Sequence, residues 1–215
     1  QYVGLDACQY GILTFGRGDT AFYTVAGTTD VFNQLDQIVN DYYTLGSEKP
    51  SQFMYSVSSL GWDVRLSVQT AASDVDSKNV DIHNGAAFSV ATRSNSGFGF
   101  SYGINYTDFQ YENDITKVSY FAPNINVMHQ NTNTDDLEFA YMHRPSWKVD
   151  KGIALTYGNM YEGLYAALTG TVTKYDGYTN HLYSYEALLS YTFDSGITLT
   201  SYYGIKRFKD ANVIS

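Results

Sequence analysis

The chain has 215 residues, a length that suits one or two soluble domains or a single all-β barrel. Charged residues make up only 16% of it and aromatic residues another 16%, with 21 Tyr and 12 Phe, whereas soluble domains carry about 25% charged residues. No run approaches the roughly 18 apolar residues of a spanning helix, and a net charge of −9 argues against nucleic acid, whose phosphates call for clustered Lys and Arg.

A mean hydropathy of −0.27 excludes a helical membrane protein. It leaves room for a barrel, whose strands alternate apolar with polar and so average low. In chain order, Gln1 to Leu5 and Gly11 to Gly16 read as strands. Cys8 between them is the sole cysteine, so no internal disulfide forms. A small semi-buried turn residue is the expectation for it, ahead of a redox role. From Arg17 to about Pro50 no clear strand follows. That stretch carries Phe22, Tyr23, Val25, Val31, Phe32, Leu35, Ile38 and Val39, so it is expected to be an ordered loop packed against something.

Alternation then dominates. In Asp63 to Gln69, Val64, Leu66 and Val68 share one face. From Phe98 to Tyr106, Phe98, Phe100, Tyr102, Ile104 and Tyr106 oppose Gly99, Ser101, Gly103 and Asn105. Similar runs lie at Ala86 to Arg93, Leu137 to His143, Ile153 to Tyr157, Leu164 to Thr173, Tyr183 to Phe193 and Ile197 to Ile205. Tight turns are expected at Ser58 to Gly61, Ser94 to Gly97 and Asp194 to Gly196, and longer polar connections at Ala72 to Asn84 and Lys174 to His181. Tyr111 to Asp136 yields no register. The count is ten to twelve strands of roughly 8 to 11 residues, long enough to cross a bilayer at a tilt.

The polar faces are built from Gly, Ser, Thr and Asn more than from charges, which suits a wall facing confined water with the large groups turned to lipid. A soluble sandwich also alternates but carries more surface Lys and Glu. His83, His129, His143 and His181 stand at no metal-ligand spacing, and no G-x-S-x-G motif occurs, so neither a metal, a cofactor nor an enzymatic activity is expected. Trp62 and Trp147 suit interface anchors better than sugar platforms.

Tyr2-Val3-Gly4-Leu5 followed by Tyr10-Gly11-Ile12-Leu13-Thr14-Phe15-Gly16-Arg17 resembles a strand pair of the general bacterial porins. Tyr23, Thr29-Asp30, the return Lys49-Pro50-Ser51-Gln52-Phe53-Met54-Tyr55, the hairpin Gly61-Trp62-Asp63-Val64-Arg65 and the late strand Tyr185 to Tyr191 fit the same family. The resemblance is most specific over residues 1 to 70. It implies a transmembrane antiparallel β-barrel of sixteen strands, of which residues 1–215 would be a single domain truncated at both ends, with residues 18–50 as a constriction loop folded inward. It also implies a homotrimer in a Gram-negative outer membrane, amid lipid and lipopolysaccharide, passing small hydrophilic solutes.

By that resemblance Asp30 occupies the acidic position of the loop, with a turn-forming Asp as the alternative. Asp36 falls near the second acidic position, where Gln34 takes the aligned place. Arg17 and Lys49 are wall or loop-anchoring basic residues, with a plain solvated charge as the alternative for Lys49, and Tyr23 either lines the pore or packs the loop to the wall. Arg65 is a lumen-facing candidate by alternation. The net charge, Asp30 and Asp36 together imply a mild cation preference. The alternatives are a sugar-preferring channel of the same fold and a soluble carbohydrate-binding β-sandwich.

Overall fold

A strand turns successive side chains to opposite sides, so a period-two sequence gives a sheet two chemically different faces. The computed structural model describes residues 2–30, 49–71, 80–111, 146–177 and 181–208. Within them β1 (Tyr2–Asp6), β2 (Ile12–Gly18), β3 (Lys49–Ser59), β4 (Trp62–Gln69) and β5 (Val80–Arg93) lead into β6 (Phe98–Tyr111), β7 (Trp147–Asn159), β8 (Glu162–Tyr175), β9 (His181–Thr192) and β10 (Thr198–Phe208). All ten form one sheet in sequential order with antiparallel pairing throughout. This up-and-down order belongs to one continuous sheet and not to two facing sheets. Among the described residues β1 and β10 are its edges, so the sheet is open.

The faces separate as the alternation requires. On β7 and β8, Ala154, Tyr165, Ala167, Thr169 and Thr171 are buried on one side, while Ile153, Leu155, Tyr157, Leu164 and Leu168 are exposed on the other. The contrast within a pair of neighbours is sharp: Leu168 is 57% exposed and Thr169 is 3%. Side chains in register continue the pattern across the sheet. Phe88, Ile104 and Lys151 align on the large-residue face, and Ser89, Gly103 and Gly152 on the small-residue face.

The tight turns fall where expected. Leu60 and Gly61 both take left-handed conformations, the two-residue hairpin geometry that matches strand twist. Ser94 to Gly97 closes with the Gly97 amide donating to the Ser94 carbonyl at 3.0 Å, and the turn after β9 closes with the Gly196 amide on the Phe193 carbonyl at 2.8 Å. A further turn joins β7 to β8, where the Tyr161 amide donates to Asn159 Oδ1 at 3.1 Å.

Four expectations need correction. Lys174 and Tyr175 belong to β8 and His181 opens β9, so the connection expected at Lys174 to His181 is shorter. Val80–Asn84 belongs to β5 and not to a loop: it pairs with Asp108–Tyr111, and a bulge between Ile82 and Asn84 restores the side-chain phase. Pairing satisfies the backbone whatever the side chains, so a polar stretch can stay in a ladder. The strands are also longer than the alternating runs alone, reaching 14 residues in β5, β6 and β8. Cys8 is exposed, not semi-buried; it sits at φ 58° in a 3-10 turn, with its amide donating to Asp6 Oδ1 at 2.8 Å. The run Leu137 to His143 lies outside the described residues.

Gly158, at the β7 bulge, has φ +79°, and a Cβ there would fall 1.8 Å from the Leu164 carbonyl oxygen. Gly158→Ala therefore combines a left-handed backbone with a collision against another strand. It is expected to lower unfolding stability by about 1–3 kcal/mol or more, measured by urea titration in detergent, whereas Gly163→Ala, where the added Cβ meets open space, is expected to cost less.

Candidate functional site

After β2 the chain leaves the sheet and runs across its small-residue face. Residues 19–30 contain one short helix, α1 (Tyr23–Ala26); its Val25 and Ala26, and Phe22 just before it, are fully buried. The burial is possible because Gly103 and Gly152, directly paired on β6 and β7, leave a trough. A Cβ on Gly103 would lie 3.0 Å from Phe22, and one on Gly152 would lie 3.0 Å from Val25. Ala87 on β5 closes one side of the apolar cluster with Ala21, Phe22 and Ala26. Burying a Phe or Val contributes about 1.5–3 kcal/mol each, more than any one neutral hydrogen bond at about 1 kcal/mol, so these two side chains are the main hold.

Hydroxyls on successive strands fix the rest. The Ala21 amide donates to Ser67 Oγ on β4 at 2.9 Å, and Ser89 Oγ on β5 donates to Thr24 Oγ1 at 3.1 Å. On β8, Thr169 Oγ1 bonds Thr28 Oγ1 at 2.7 Å and Tyr165 donates to the Thr28 carbonyl at 2.7 Å. Glu186 on β9 accepts from Thr29 Oγ1 with one oxygen and from the Tyr202 hydroxyl of β10, at 2.7 Å, with the other. The segment thus spans the face from β4 to β9, held by hydroxyls of Ser67, Ser89, Tyr165 and Thr169 and by the Glu186 carboxylate.

Of the residues singled out in the sequence, Tyr23 and Asp30 are brought together: the Tyr23 hydroxyl donates to Asp30 Oδ2. Burial, and after it the Asp30 carboxylate, raise the Tyr23 phenol above its ordinary pKa, so it stays a neutral donor. Arg65 shares the small-residue side of β4 with Ser67 and Gln69. Its Nε donates to Asp63 Oδ2 at 2.9 Å and its Nη2 lies 2.8 Å from the same oxygen, which takes up much of its charge locally. Arg17 is exposed, at the bulge between Gly16 and Gly18. Lys49 opens β3 opposite Gly18. Asp36 lies outside the described residues, as do Val31, Phe32, Leu35, Ile38 and Val39.

A cavity of about 480 Å³ opens beside the crossing segment, lined by Thr24 and Thr28 on one side and by Asp63, Arg93, Ser101 and Thr156 on the other. Toward the opposite ends of β6 to β8, Lys148 and Asp150 form an ion pair at 2.7 Å, their side chains each 1% exposed. Asn105 Nδ2 and Thr173 Oγ1 also donate to Asp150, at 3.0 and 2.7 Å. Sequence reasoning missed Lys148, Asp150 and Glu186. The signal was present: Lys148 and Asp150 are charges on the phase of β7 otherwise given to Gly, Ala and Thr, Glu186 is the one charge on a phase of β9 given to Leu and Ser, and such a charge needs a partner when buried.

No protein-family model matches the chain, and no curated protein matches it in sequence. Among solved structures the chain is similar to Salmonella typhi OmpF in complex with daunomycin, with a TM-score of 0.68 over 99% of this chain at 16% identity. It spans 60% of that protein's length. The fold is therefore porin-like.

The two kinds of hold are separable by experiment. Gly152→Val fills the trough and is expected to raise amide hydrogen exchange of Tyr23 to Ala26 by about tenfold or more, the loss of roughly 1.4 kcal/mol of local protection. Glu186→Ala is expected to do so at Thr28 to Asp30 while sparing Ala21, which Ser67 still holds. Equal exchange in both variants and the parent would contradict this division.

Proposed function

We propose that this chain forms much of the wall of an outer-membrane pore through which small hydrophilic solutes and ions diffuse passively, with a mild preference for cations. The observation that carries the reading is the crossing of residues 19–30 over the small-residue face of a single porin-like sheet. A soluble sandwich would cover that face with a second sheet, but here a polar-edged segment covers part of it and leaves an open cavity beside it, lined by Thr24, Thr28, Ser101 and Thr156 together with Leu60, Trp62 and Phe100.

The opposite face supports a membrane. On β7, Trp147 and Tyr157 stand on the large-residue side ten residues apart, about 34 Å along a strand. At a tilt of about 45° that is about 24 Å along the membrane normal, close to the roughly 25 Å apolar band between the aromatic girdles of such barrels. Val149, Lys151, Ile153 and Leu155 occupy the interval, the last three exposed, so the apolar stretch proper is short and a single ammonium interrupts it. Among the described residues β2 to β9 are each paired with a neighbour on both sides, as hydrocarbon demands of a spanning strand.

In this reading the segment narrows the lumen and presents Asp30 to it, with the neutral Tyr23 hydroxyl orienting the carboxylate. Asp36 adds a second negative charge from the same loop, and Arg17, Lys49 and Arg65 stand as the basic side of the wall. Charges of opposite sign across a narrow, poorly polarisable passage set up a transverse field that polar solutes follow and that apolar solutes cannot exploit. As in the porins the sequence resembles, three copies would assemble in a Gram-negative outer membrane, among lipid and lipopolysaccharide. No step of bond chemistry enters.

In a planar bilayer the full-length protein is expected to give stepwise openings in threes that added sugars leave unchanged. Concentration-dependent sugar blockade would make it a substrate-preferring channel, and no conductance from folded protein would overturn the pore. Across a salt gradient, Asp30→Asn is expected to shift the reversal potential toward anions, lowering the cation-to-anion permeability ratio by roughly twofold or more, as removal of a potential of order kT implies. An unchanged ratio would remove Asp30 from the passage.

A further inference from the structure

The cavity beside the crossing segment holds a cation that the pore reading leaves unused. Arg93 ends β5 on the small-residue phase, two residues beyond Ala91 and four beyond the buried Ser89. It lines the cavity, and among the described residues its guanidinium has neither a carboxylate nor a hydrogen-bond partner. Arg65, by contrast, is engaged by Asp63 at 2.8 and 2.9 Å. Ser58 Oγ donates to the other oxygen of that carboxylate at 3.2 Å. The acid in the lining is therefore matched, and the charge left over is the positive one of Arg93.

Register surrounds that cation with hydroxyls. Arg93 pairs with Gly99 and Gly99 with Thr156. The two side chains thus face one another across a residue that has none, roughly 10 Å apart at their backbones. Thr156 Oγ1 leans into the gap, since a Cβ on Gly99 would collide with it, and it has no hydrogen-bond partner among the described residues. Ser101 lies diagonal to both. It is 5% exposed and its Oγ is buried without a partner. That is costly for a hydroxyl, and a rotation about Cα–Cβ relieves it when an acceptor enters the cavity. On the crossing segment, Thr24 Oγ1 accepts from Ser89 Oγ at 3.1 Å and keeps its own proton to donate. Leu60, Trp62, Ala91 and Phe100 add apolar surface to the lining.

A concavity of several hundred Å³ with apolar walls and a few convergent polar groups is the usual form of a small-molecule site, and this one measures about 480 Å³. The groups left free here are donors, and the one unmatched charge is positive, so the complementary head is an oxyanion. A planar carboxylate matches the guanidinium fork with two parallel hydrogen bonds. We propose that this cavity binds organic acids with an apolar body. The carboxylate is held by Arg93 and Thr156 with Ser101 and Thr24 in reach, and the body lies against the apolar part of the lining. The proposal rests on the pore reading, which makes the cavity part of the passage. It deepens that reading by naming a class of solute that the passage retains while neutral sugars go by.

The test uses the full-length protein in a planar bilayer. Benzoate is the probe, benzamide its neutral match, and acetate its match without the apolar body. Benzoate is expected to interrupt the current in a concentration-dependent way, at concentrations where benzamide and acetate do not. In Arg93→Gln the half-blocking concentration is expected to rise about tenfold or more, as loss of charge-assisted hydrogen bonds implies. Thr156→Val, which keeps the shape and removes the hydroxyl, is expected to raise it severalfold. Lys206→Gln, which removes a cation of the same face on β10, is expected to match the parent. Calorimetric titration of the same proteins in detergent reads the binding where a variant does not open. Absence of blockade, equal blockade by acetate or benzamide, an unchanged half-blocking concentration in Arg93→Gln, or the same rise in Lys206→Gln overturns the binding site and leaves the pore standing. Absence of any openings in the parent overturns the pore reading and this site with it.

Discussion

A β-strand has no third side. Each residue of a strand faces one way or the other, and in a sheet of ten strands paired strictly with their neighbours the faces cannot mix without a bulge. The two faces here differ so much in size and polarity that they cannot share one environment. Leu, Ile, Phe and Tyr crowd one of them and remain exposed, while Gly, Ala, Ser and Thr line the other and are largely buried. That parity constraint sets where the crossing segment can sit, which hydroxyls can hold it, and which charges must find partners inside. The bulge between Ile82 and Asn84 shows its force: the extra residue lets the strand continue with its later side chains on their proper sides.

The crossing segment depends on a second condition, that the small face be recessed where the segment is bulkiest. Paired glycines at 103 and 152 supply the recess, and Phe22 with Val25 occupies it. The surrounding hydrogen bonds are each modest, yet they come from β4, β5, β8 and β9 in turn, so they set direction while the apolar pair supplies the hold. Tyr23 and Asp30 are oriented as a consequence, with the phenol capping one carboxylate oxygen. The carboxylate thus stands at the end of a short crossing segment with one of its oxygens already engaged.

Much of this was legible in the sequence. Alternation from Phe98 to Tyr106 and from Tyr183 to Phe193 assigned the right residues to the right faces, because period two is a local property. The hairpin turns were legible for the same reason: Leu60-Gly61 and Ser94 to Gly97 are short-range signals. The long stretch after β2 declared itself by carrying Phe22, Tyr23 and Val25 where a solvated loop would not. What stayed hidden depends on register between strands. Gly103 and Gly152 are unremarkable alone, and only pairing across a connection of dozens of residues makes them a trough. Val80–Asn84 read as loop because it continues a polar run and the bulge between Ile82 and Asn84 breaks its alternation, although its backbone is paired. Lys148, Asp150 and Glu186 were visible as charges on the wrong phase, but their partners Asn105, Thr173, Thr29 and Tyr202 come from other strands.

The central claim is that the large-residue face lies in hydrocarbon and the small-residue face does not. Nitroxide labels placed one at a time from Phe98 to Tyr106 in the full chain, reconstituted in vesicles with Cys8 replaced by Ser, test it directly. Collision with oxygen, which concentrates in lipid, is expected to peak at Phe100, Tyr102 and Ile104 and to fall at Ser101, Gly103 and Asn105, while a water-soluble nickel chelate fails to reach the first three. Nickel collisions at Phe100, Tyr102 and Ile104 as frequent as in open water would contradict the membrane wall and return the sheet to solution.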